Sequence, residues 1–222
     1  MKAERIKLVC ATLLLIVAMM SCVTRAAAAA PDLSSPKAAA KSFYAAVEAG
    51  DAAGMRDMIG ADDPEHQKLA QAFADVIAAG KKLADVAKDK YGAAGDPIGR
   101  GSITREDAAK IDSANVEENG DDATLTIPGQ QTPLKLHRTA GAWKLDIRSF
   151  HGARPEELPA QTALVSNMAT ALTEAADEIG SGKYATATEA ESAIQQKLNE
   201  VMIKAVKPAT QATTQAATRP AP

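Results

Sequence analysis

The chain contains little cysteine, and both cysteines lie close to the N-terminus. Cys10 and Cys22 are the only two among 222 residues. Both precede the segment in which folded structure is predicted to begin, so the sequence predicts a folded part without a disulfide. The stability of that part must then come from burial of apolar side chains, which is feasible for a folded unit of roughly 120 residues.

Aromatic residues and basic clusters are also scarce. One tryptophan, three tyrosines and three phenylalanines are present, so smaller aliphatic residues must supply most of a core, and each alanine buries little apolar area. The formal net charge is −3, and no cluster of lysine and arginine follows the first thirty residues. We therefore expect no nucleic-acid partner, because attraction to phosphates needs such a basic surface.

Long apolar runs are absent except near the N-terminus. Residues 8–20 carry no charge and follow Lys2, Arg5 and Lys7. A membrane-spanning helix needs roughly 20 apolar residues, so this run is better explained as an export signal. The sequence predicts a signal peptide over residues 1–30 and a mature protein in the periplasm or cell envelope.

Two processing routes remain open for this signal. The alanine run at residues 26–30 offers sites for ordinary signal peptidase, although Pro31 disfavours a cut directly after Ala30. Residues 19–22, Met-Met-Ser-Cys, instead resemble a bacterial lipobox, in which Cys22 receives a lipid. Ser21 fits that pattern, whereas Met19 stands where leucine is usual. Cys22 is therefore a candidate lipidation site and the only expected link to a membrane.

Helix-start signals dominate residues 31–91. Ser35 and Asp63 each precede a proline, as expected for an N-cap followed by the first helical residue, and Asp51 is a third candidate cap. Gly50 is expected to end the first helix. A stripe at helical spacing then predicts a long helix, and residues 92–101 are expected to form a loop. The stripe consists of Leu69, Phe73, Val76, Ile77, Leu83, Ala87 and Tyr91.

Alternating residues predict an antiparallel sheet up to residue 152. One face is apolar and must be covered by the preceding helices. Turns are predicted at residues 119–121 and 140–141. The apolar face contains Ala123, Leu125, Ile127, Leu134, Leu136, Trp143, Leu145 and Ile147. The other face contains Thr124, Thr126, Lys135, His137, Lys144, Asp146 and Arg148.

The pattern returns to helix after Pro155 and predicts a helical hairpin over residues 153–207. Its second helix is expected to begin at a capping box of Thr188 and Glu191 and to bury Ala190, Ile194, Leu198, Val201, Met202 and Ala205. Residues 208–222 are rich in Ala, Thr, Pro and Gln and are expected to be disordered. The predicted fold class is thus α+β, with N-terminal helices packed on a curved antiparallel sheet, followed by the hairpin.

Three stretches resemble small exported bacterial proteins with a nuclear-transport-factor-2-like fold. Residues 35–51 carry Ser-Pro, Phe-Tyr and Gly-Asp at the family's positions, residues 119–125 resemble its Gly-Asp strand, and residues 141–146 resemble its closing Gly-x-Trp-Lys strand. The resemblance covers residues 33–150. It implies a helix-and-sheet cone over residues 31–152 whose mouth holds an apolar ligand.

Candidate catalytic residues fall outside the predicted interior. The resemblance implies that enzymes of this family place an acid or a His–Asp pair inside the cone, yet His137 and Asp146 alternate onto the outer face. A one-residue bulge would reverse either of them. Tyr44, Asp57 and Tyr91 are the helix-borne groups able to enter a cavity.

The remaining motifs carry no chemistry that we expect to be functional. His66 sits in a helix first turn without further metal ligands, and His151 lies in a loop. The glycines of residues 92–101 lack the Gly-Lys-Ser/Thr of a phosphate loop and follow a helix instead of a strand. We therefore expect no catalytic residue, no cofactor and no metal.

The expected function is non-catalytic binding of a small apolar ligand or a protein partner in the cell envelope. The alternative is a small enzyme of the isomerase or cyclase type that uses the cone cavity. The two differ in whether an ionisable side chain with a perturbed pKa points into an apolar cavity.

Export with loss of at least residues 1–21 is the first testable prediction. Intact-mass analysis of the envelope fraction should find no chain that starts at Met1, because both processing routes remove the signal. A diacylglycerol mass on Cys22 would identify the lipoprotein route. Full-length protein confined to the cytoplasm would contradict the prediction.

Overall fold

A computed structural model describes residues 30–99, 105–130, 132–150 and 154–217 of the chain. The predicted signal peptide, Cys10 and Cys22 lie outside these residues. The helices within them are α1 (Pro36–Ala49), α2 (Ala52–Met58), α3 (Pro64–Tyr91), α4 (Arg105–Lys110), α5 (Leu158–Gly180) and α6 (Ala187–Ala217). The strands are β1 (Ile59–Gly60), β2 (Asn115–Asn119), β3 (Asp122–Thr126), β4 (Leu134–Thr139) and β5 (Ala142–Asp146). The α+β class is confirmed.

The three predicted helix starts are confirmed, each by a side-chain oxygen that accepts backbone N–H groups. Ser35 accepts from Ala38, Asp51 accepts from Gly54, and Asp63 accepts from both Glu65 and His66. Such bonds satisfy N–H groups that have no partner within the helix. Gly50 ends α1 at φ 67°, a left-handed conformation that glycine adopts without steric cost.

The sheet has the strand order β1-β5-β4-β3-β2. Neighbours are antiparallel except β1, which runs parallel to β5, so the sheet is mixed and not purely antiparallel as predicted. The sequence pattern did not indicate β1, because two residues are too few for any periodicity. Ala140 and Gly141 both have positive φ, as the two-residue turn between β4 and β5 requires.

The predicted faces of the sheet are confirmed. Leu125, Leu136 and Leu145 are fully buried on one face, whereas Thr126, Lys135 and Arg148 are exposed on the other. Helices α1, α2 and α3 cover the apolar face. We call this interface the sheet core; its buried members include Phe43, Tyr44, Met55, Met58, Leu69, Leu125, Ile127, Leu136, Trp143, Leu145 and Ile147.

A second core, which we call the helical core, joins α3 to the predicted hairpin. It contains Leu83, Ala87, Ala175, Ala176, Ile179, Ala190 and Ile194. The two hairpin helices α5 and α6 pack on each other as expected, and α5 also lies along α3. Gly80 does not interrupt α3, so this one helix contributes to both cores.

The segment after α3 is a 3₁₀ helix, Gly92–Gly99, and not the predicted loop. It folds back on α3 so closely that a Cβ at position 95 would lie 2.3 Å from the carbonyl oxygen of Ala87. Gly95 is therefore required by this approach of one backbone to another. The prediction was wrong because the glycines were interpreted as a sign of irregular chain.

Helix α6 differs from the prediction at both ends. Its cap is Thr186, which accepts from the N–H of Glu189, while Glu189 accepts from the N–H of Ala185. The predicted box at Thr188 and Glu191 has the same spacing two residues later. The helix also includes residues 208–217, which were expected to be disordered. The alanines and glutamines of this segment favour the helix, and extending a helix is easier than nucleating one, whereas Pro208 and the three threonines oppose it. Residues 218–222 lie outside the described residues.

Within the described residues, no helix combines the length and the apolar composition needed to cross a lipid bilayer.

Trp143 is predicted to anchor the sheet core. Its side chain is 2% exposed, and its backbone N–H donates to the carbonyl oxygen of Leu33. We expect Trp143→Ala to lower the free energy of unfolding by about 3–5 kcal/mol, because truncation removes buried area and leaves a cavity.

Urea unfolding followed by far-ultraviolet circular dichroism provides the measurement, since Trp143 is the only tryptophan and its fluorescence is lost in the variant. Lys144→Ala on the outer face is the matched control and should change the free energy by less than about 0.5 kcal/mol. Equal midpoints for Trp143→Ala and wild type would contradict the assignment of the strand faces.

Candidate functional site

His137 lies on the outer face of β4, as the alternation predicts. Its Nδ1 is 2.8 Å from Oδ1 of Asp122, the residue opposite it on β3, and its side chain is 41% exposed. The hydrogen bond with Asp122 raises the pKa of the imidazole; partial burial opposes this, and the charges of Asp122, Asp62 and Asp121 reinforce it. His137 therefore forms a surface pair that does not face the sheet core.

Asp146 has a different partner from His137. Its Oδ1 accepts from the backbone N–H and from Nε of Arg148, at 3.0 and 2.9 Å. The hydrogen bond with Asp146 raises the pKa of the Arg148 guanidinium. The structure thus gives the two candidate catalytic residues separate partners instead of joining them in one His–Asp pair.

His66 belongs to the start of α3. Its Nδ1 contacts Oδ2 of Asp63, and its backbone N–H donates to the same carboxylate. The backbone bond from His66 is the largest cause of the lowered pKa of Asp63. No group of three potential ligands among His, Cys, Asp and Glu occurs within the described residues. His151 lies outside them.

The three helix-borne candidates have different surroundings. Tyr44 is buried there, and its hydroxyl accepts from Nε2 of Gln130 at 2.8 Å. Asp57 is exposed. Tyr91 donates to the carbonyl oxygen of Tyr184, and burial raises the pKa of its phenol. Among the described residues, no charged side chain is buried.

Two clefts of the described residues are open to solvent and contain charged side chains. A cleft of about 370 Å³ beside β1 is lined by both charge signs, from Arg56, Asp57, Asp62 and Lys144. A shallower groove of about 670 Å³ runs between α3 and α5 and includes Asp75 and Lys82. The lining of the groove between α3 and α5 is more apolar than that of the cleft beside β1, but charged side chains interrupt both, in contrast to a typical pocket for an apolar ligand.

A charged cluster that the sequence analysis did not identify holds the turn between α5 and α6. Glu178 accepts from Nζ of Lys183 at 2.7 Å and from the hydroxyl of Tyr184 at 2.6 Å, and Nζ of Lys197 lies 3.3 Å away. These contacts lower the pKa of Glu178 to about 2, and the hydrogen bond from Lys183 has the largest effect. The positions are not at one regular spacing, so only the folded turn brings them together. The cluster fixes the orientation of α6.

Beyond this cluster, α6 exposes two large apolar side chains. Met202 is 48% and Ile203 57% exposed, and we call the pair the α6 patch. Met202 and Ala205 were both expected in the buried stripe of α6, and that prediction is wrong because both are exposed. At 100° per residue, Met202 lies about 80° around the helix from the buried Ile194, so it falls at the margin of the packed face. Ile203 lies a further quarter-turn around the helix.

Comparison with protein families, curated proteins and solved structures finds no match to this chain. The candidate site must therefore be judged from geometry and charge. Many surface groups of the described residues take part in local ion pairs and caps, and the α6 patch is one feature that such local roles do not explain.

The stability of the hairpin is predicted to decrease in acid through Glu178. Its folded pKa of about 2 lies below the ordinary value of 4.5, so its contribution is complete above about pH 4.5. The contribution disappears as the pH falls toward 2, because the folded state must then take up a proton. Its side chain is only 23% exposed, so we expect Glu178→Gln to cost about 2 kcal/mol at pH 7 and almost nothing near pH 2.

Urea unfolding of wild type and Glu178→Gln at several pH values between 7 and 2 measures this difference. Glu191→Gln, at an exposed position of α6, is the control and should show no pH-dependent difference from wild type. A constant difference between wild type and Glu178→Gln across this range would contradict the role of the charge.

Proposed function

We propose that the chain is an exported cell-envelope protein that binds a partner without catalysing a reaction. The observation that carries the proposal is the apolar interior: no charged side chain is buried among the described residues. General acid–base catalysis needs a titratable group held within hydrogen-bond reach of the substrate. The packing of α1–α3 on one sheet face is also what a nuclear-transport-factor-2-like domain requires, and we include that family in the proposal.

A protein partner is favoured over a small apolar ligand. The sheet core is filled by side chains such as Phe43, Met55 and Leu69, each at most 2% exposed. The open clefts carry charged residues that an apolar ligand would have to desolvate. The binding role is therefore assigned to the outer surface of the protein instead of its interior.

The α6 patch is the proposed contact surface. Burying Met202 and Ile203 against a partner removes apolar area from water, which is the main driving force of most associations. The first half of α6 is held by Ala190 and Ile194 in the helical core and by the Glu178 cluster. This anchoring pre-organises the helix, so little conformational entropy is lost on binding. Export through the N-terminal signal brings the patch into the envelope.

Site-specific photo-crosslinking in envelope preparations tests the proposal. A benzophenone side chain at position 202 should give one dominant crosslinked protein, because that position faces the partner. The same group at position 65 on α3, where the native side chain is 42% exposed, should give none. In the variant that carries benzophenone at position 202, the additional substitution Ile203→Ser should reduce the yield of the crosslinked protein at least tenfold.

A matched control keeps the result specific to the patch. Gln195→Ser with Gln196→Ser alters two exposed positions on the same helix and should leave the yield unchanged. Substitutions at exposed positions change the free energy of unfolding by less than about 0.5 kcal/mol. A crosslink lost in Ile203→Ser but kept in this control is therefore not explained by unfolding. Equal crosslinking from positions 202 and 65 would overturn the proposal.

A further inference from the structure

Strand β2 forms an open edge of the sheet. All five of its residues pair with β3, and within the described residues no element pairs with its other side. The opposite edge is protected differently. There, β1 pairs with only two residues of β5. Farther along β5, the N–H of Trp143 donates to the carbonyl oxygen of Leu33, which covers that part of the strand. The sheet can therefore be extended at β2, where hydrogen-bonding groups are left unpaired.

The hairpin geometry identifies the unpaired groups. Asn119 and Asp122 flank the two-residue turn between β2 and β3, so they form a mutually hydrogen-bonded pair. Hydrogen bonding then alternates, which directs the N–H and C=O groups of Val116 and Glu118 away from β3. The same rule, applied to the turn between β4 and β5, directs the N–H of Trp143 away from β4, and the bond to Leu33 confirms it there.

The side chains of β2 add a charge to this edge. Glu117 and Glu118 are exposed, and because successive residues alternate, their carboxylates lie on opposite faces of the strand. No basic side chain of the described residues forms an ion pair with either carboxylate. Val116 is half-buried and packs against the sheet core. Along the strand, the edge thus presents one apolar position followed by two acids.

A second copy of β2 matches this edge less well than a basic strand does, because no residue of β2 is basic. In the antiparallel register that pairs Val116 with Glu118 of the other copy, the two Glu117 side chains are directly opposite each other. Like charges in that position destabilise strand pairing. A strand with basic residues opposite the two glutamates has the complementary charge, and an apolar residue opposite Val116 extends the core.

We propose that the β2 edge binds an extended basic peptide segment of a partner by strand addition. In the antiparallel direction the segment reads basic–basic–apolar, with lysine or arginine opposite Glu118 and Glu117, followed by a Val, Ile or Leu opposite Val116. Its main chain pairs with the outward groups of Val116 and Glu118. This site is independent of the α6 patch and extends the proposed function.

Amide hydrogen exchange of the ¹⁵N-labelled full chain tests the proposal, with the blocked peptide Thr-Lys-Lys-Val-Thr as the probe. At saturating peptide, exchange at Val116 and Glu118 should slow at least tenfold, because their N–H groups acquire acceptors. The amide of Glu117 already bonds to β3 and serves as an internal reference. Exchange there should change by less than twofold.

Variants separate strand addition from simple charge attraction. Val116→Pro removes one outward N–H but no bond to β3, so the sheet should remain folded while binding weakens at least tenfold. The double variant with Glu117→Lys and Glu118→Lys should no longer bind Thr-Lys-Lys-Val-Thr and should bind Thr-Glu-Glu-Val-Thr instead. Asp89→Lys with Glu191→Lys makes the same charge change at exposed helical positions and should bind like wild type.

Two results would overturn the proposal. The first is binding of the lysine peptide that leaves exchange at Val116 and Glu118 unchanged, since this would mean attraction without strand pairing. The second is slowed exchange that depends on protein concentration in the absence of peptide, since this would mean that a second copy occupies the edge.

Discussion

The described fold depends on the packing of α3 in two cores at once. Its first half contributes Leu69 to the sheet core, and its second half contributes Leu83 and Ala87 to the helical core. A helix of 28 residues is about 42 Å long, enough to serve both. Because α5 lies along the same helix, α3 determines where the hairpin meets the rest of the protein.

The electrostatic interactions of the described residues support this arrangement locally. Asp63 and His66 fix the start of α3, and the Glu178 cluster fixes the turn from α5 to α6. Neither cluster faces an apolar cavity, in contrast to what an acid–base site requires. The surface properties that remain are the apolar pair on α6 and the acidic open edge of β2. Both are suited to contacts with another chain.

Much of the fold was predictable because its signals are local. The caps at Ser35, Asp51 and Asp63 each depend on a few consecutive residues, and the buried face of β3–β5 follows from simple alternation. The parallel strand β1, the approach of Gly95 to Ala87 and the exposure of Met202 depend on contacts between distant segments. No spacing in the sequence encodes them.

The candidate site was less predictable than the fold. The sequence placed His137 and Asp146 correctly on the outer face, but their separate partners, Asp122 and Arg148, follow from the register and from local backbone geometry. The Glu178 cluster draws on Lys183, Tyr184 and Lys197, which lie at unrelated spacings from it. Ion pairs of this kind require knowledge of how a turn is folded.

The sharing of α3 by both cores is the feature on which the described fold most directly depends. Native-state amide exchange of the full chain measures whether the cores open together. The free energies of opening at Leu69 and Leu83 should agree within about 0.5 kcal/mol, and Leu83→Ala should lower both by the same amount. A helical core that opens at a much lower free energy, with no effect of Leu83→Ala on Leu69, would contradict the account.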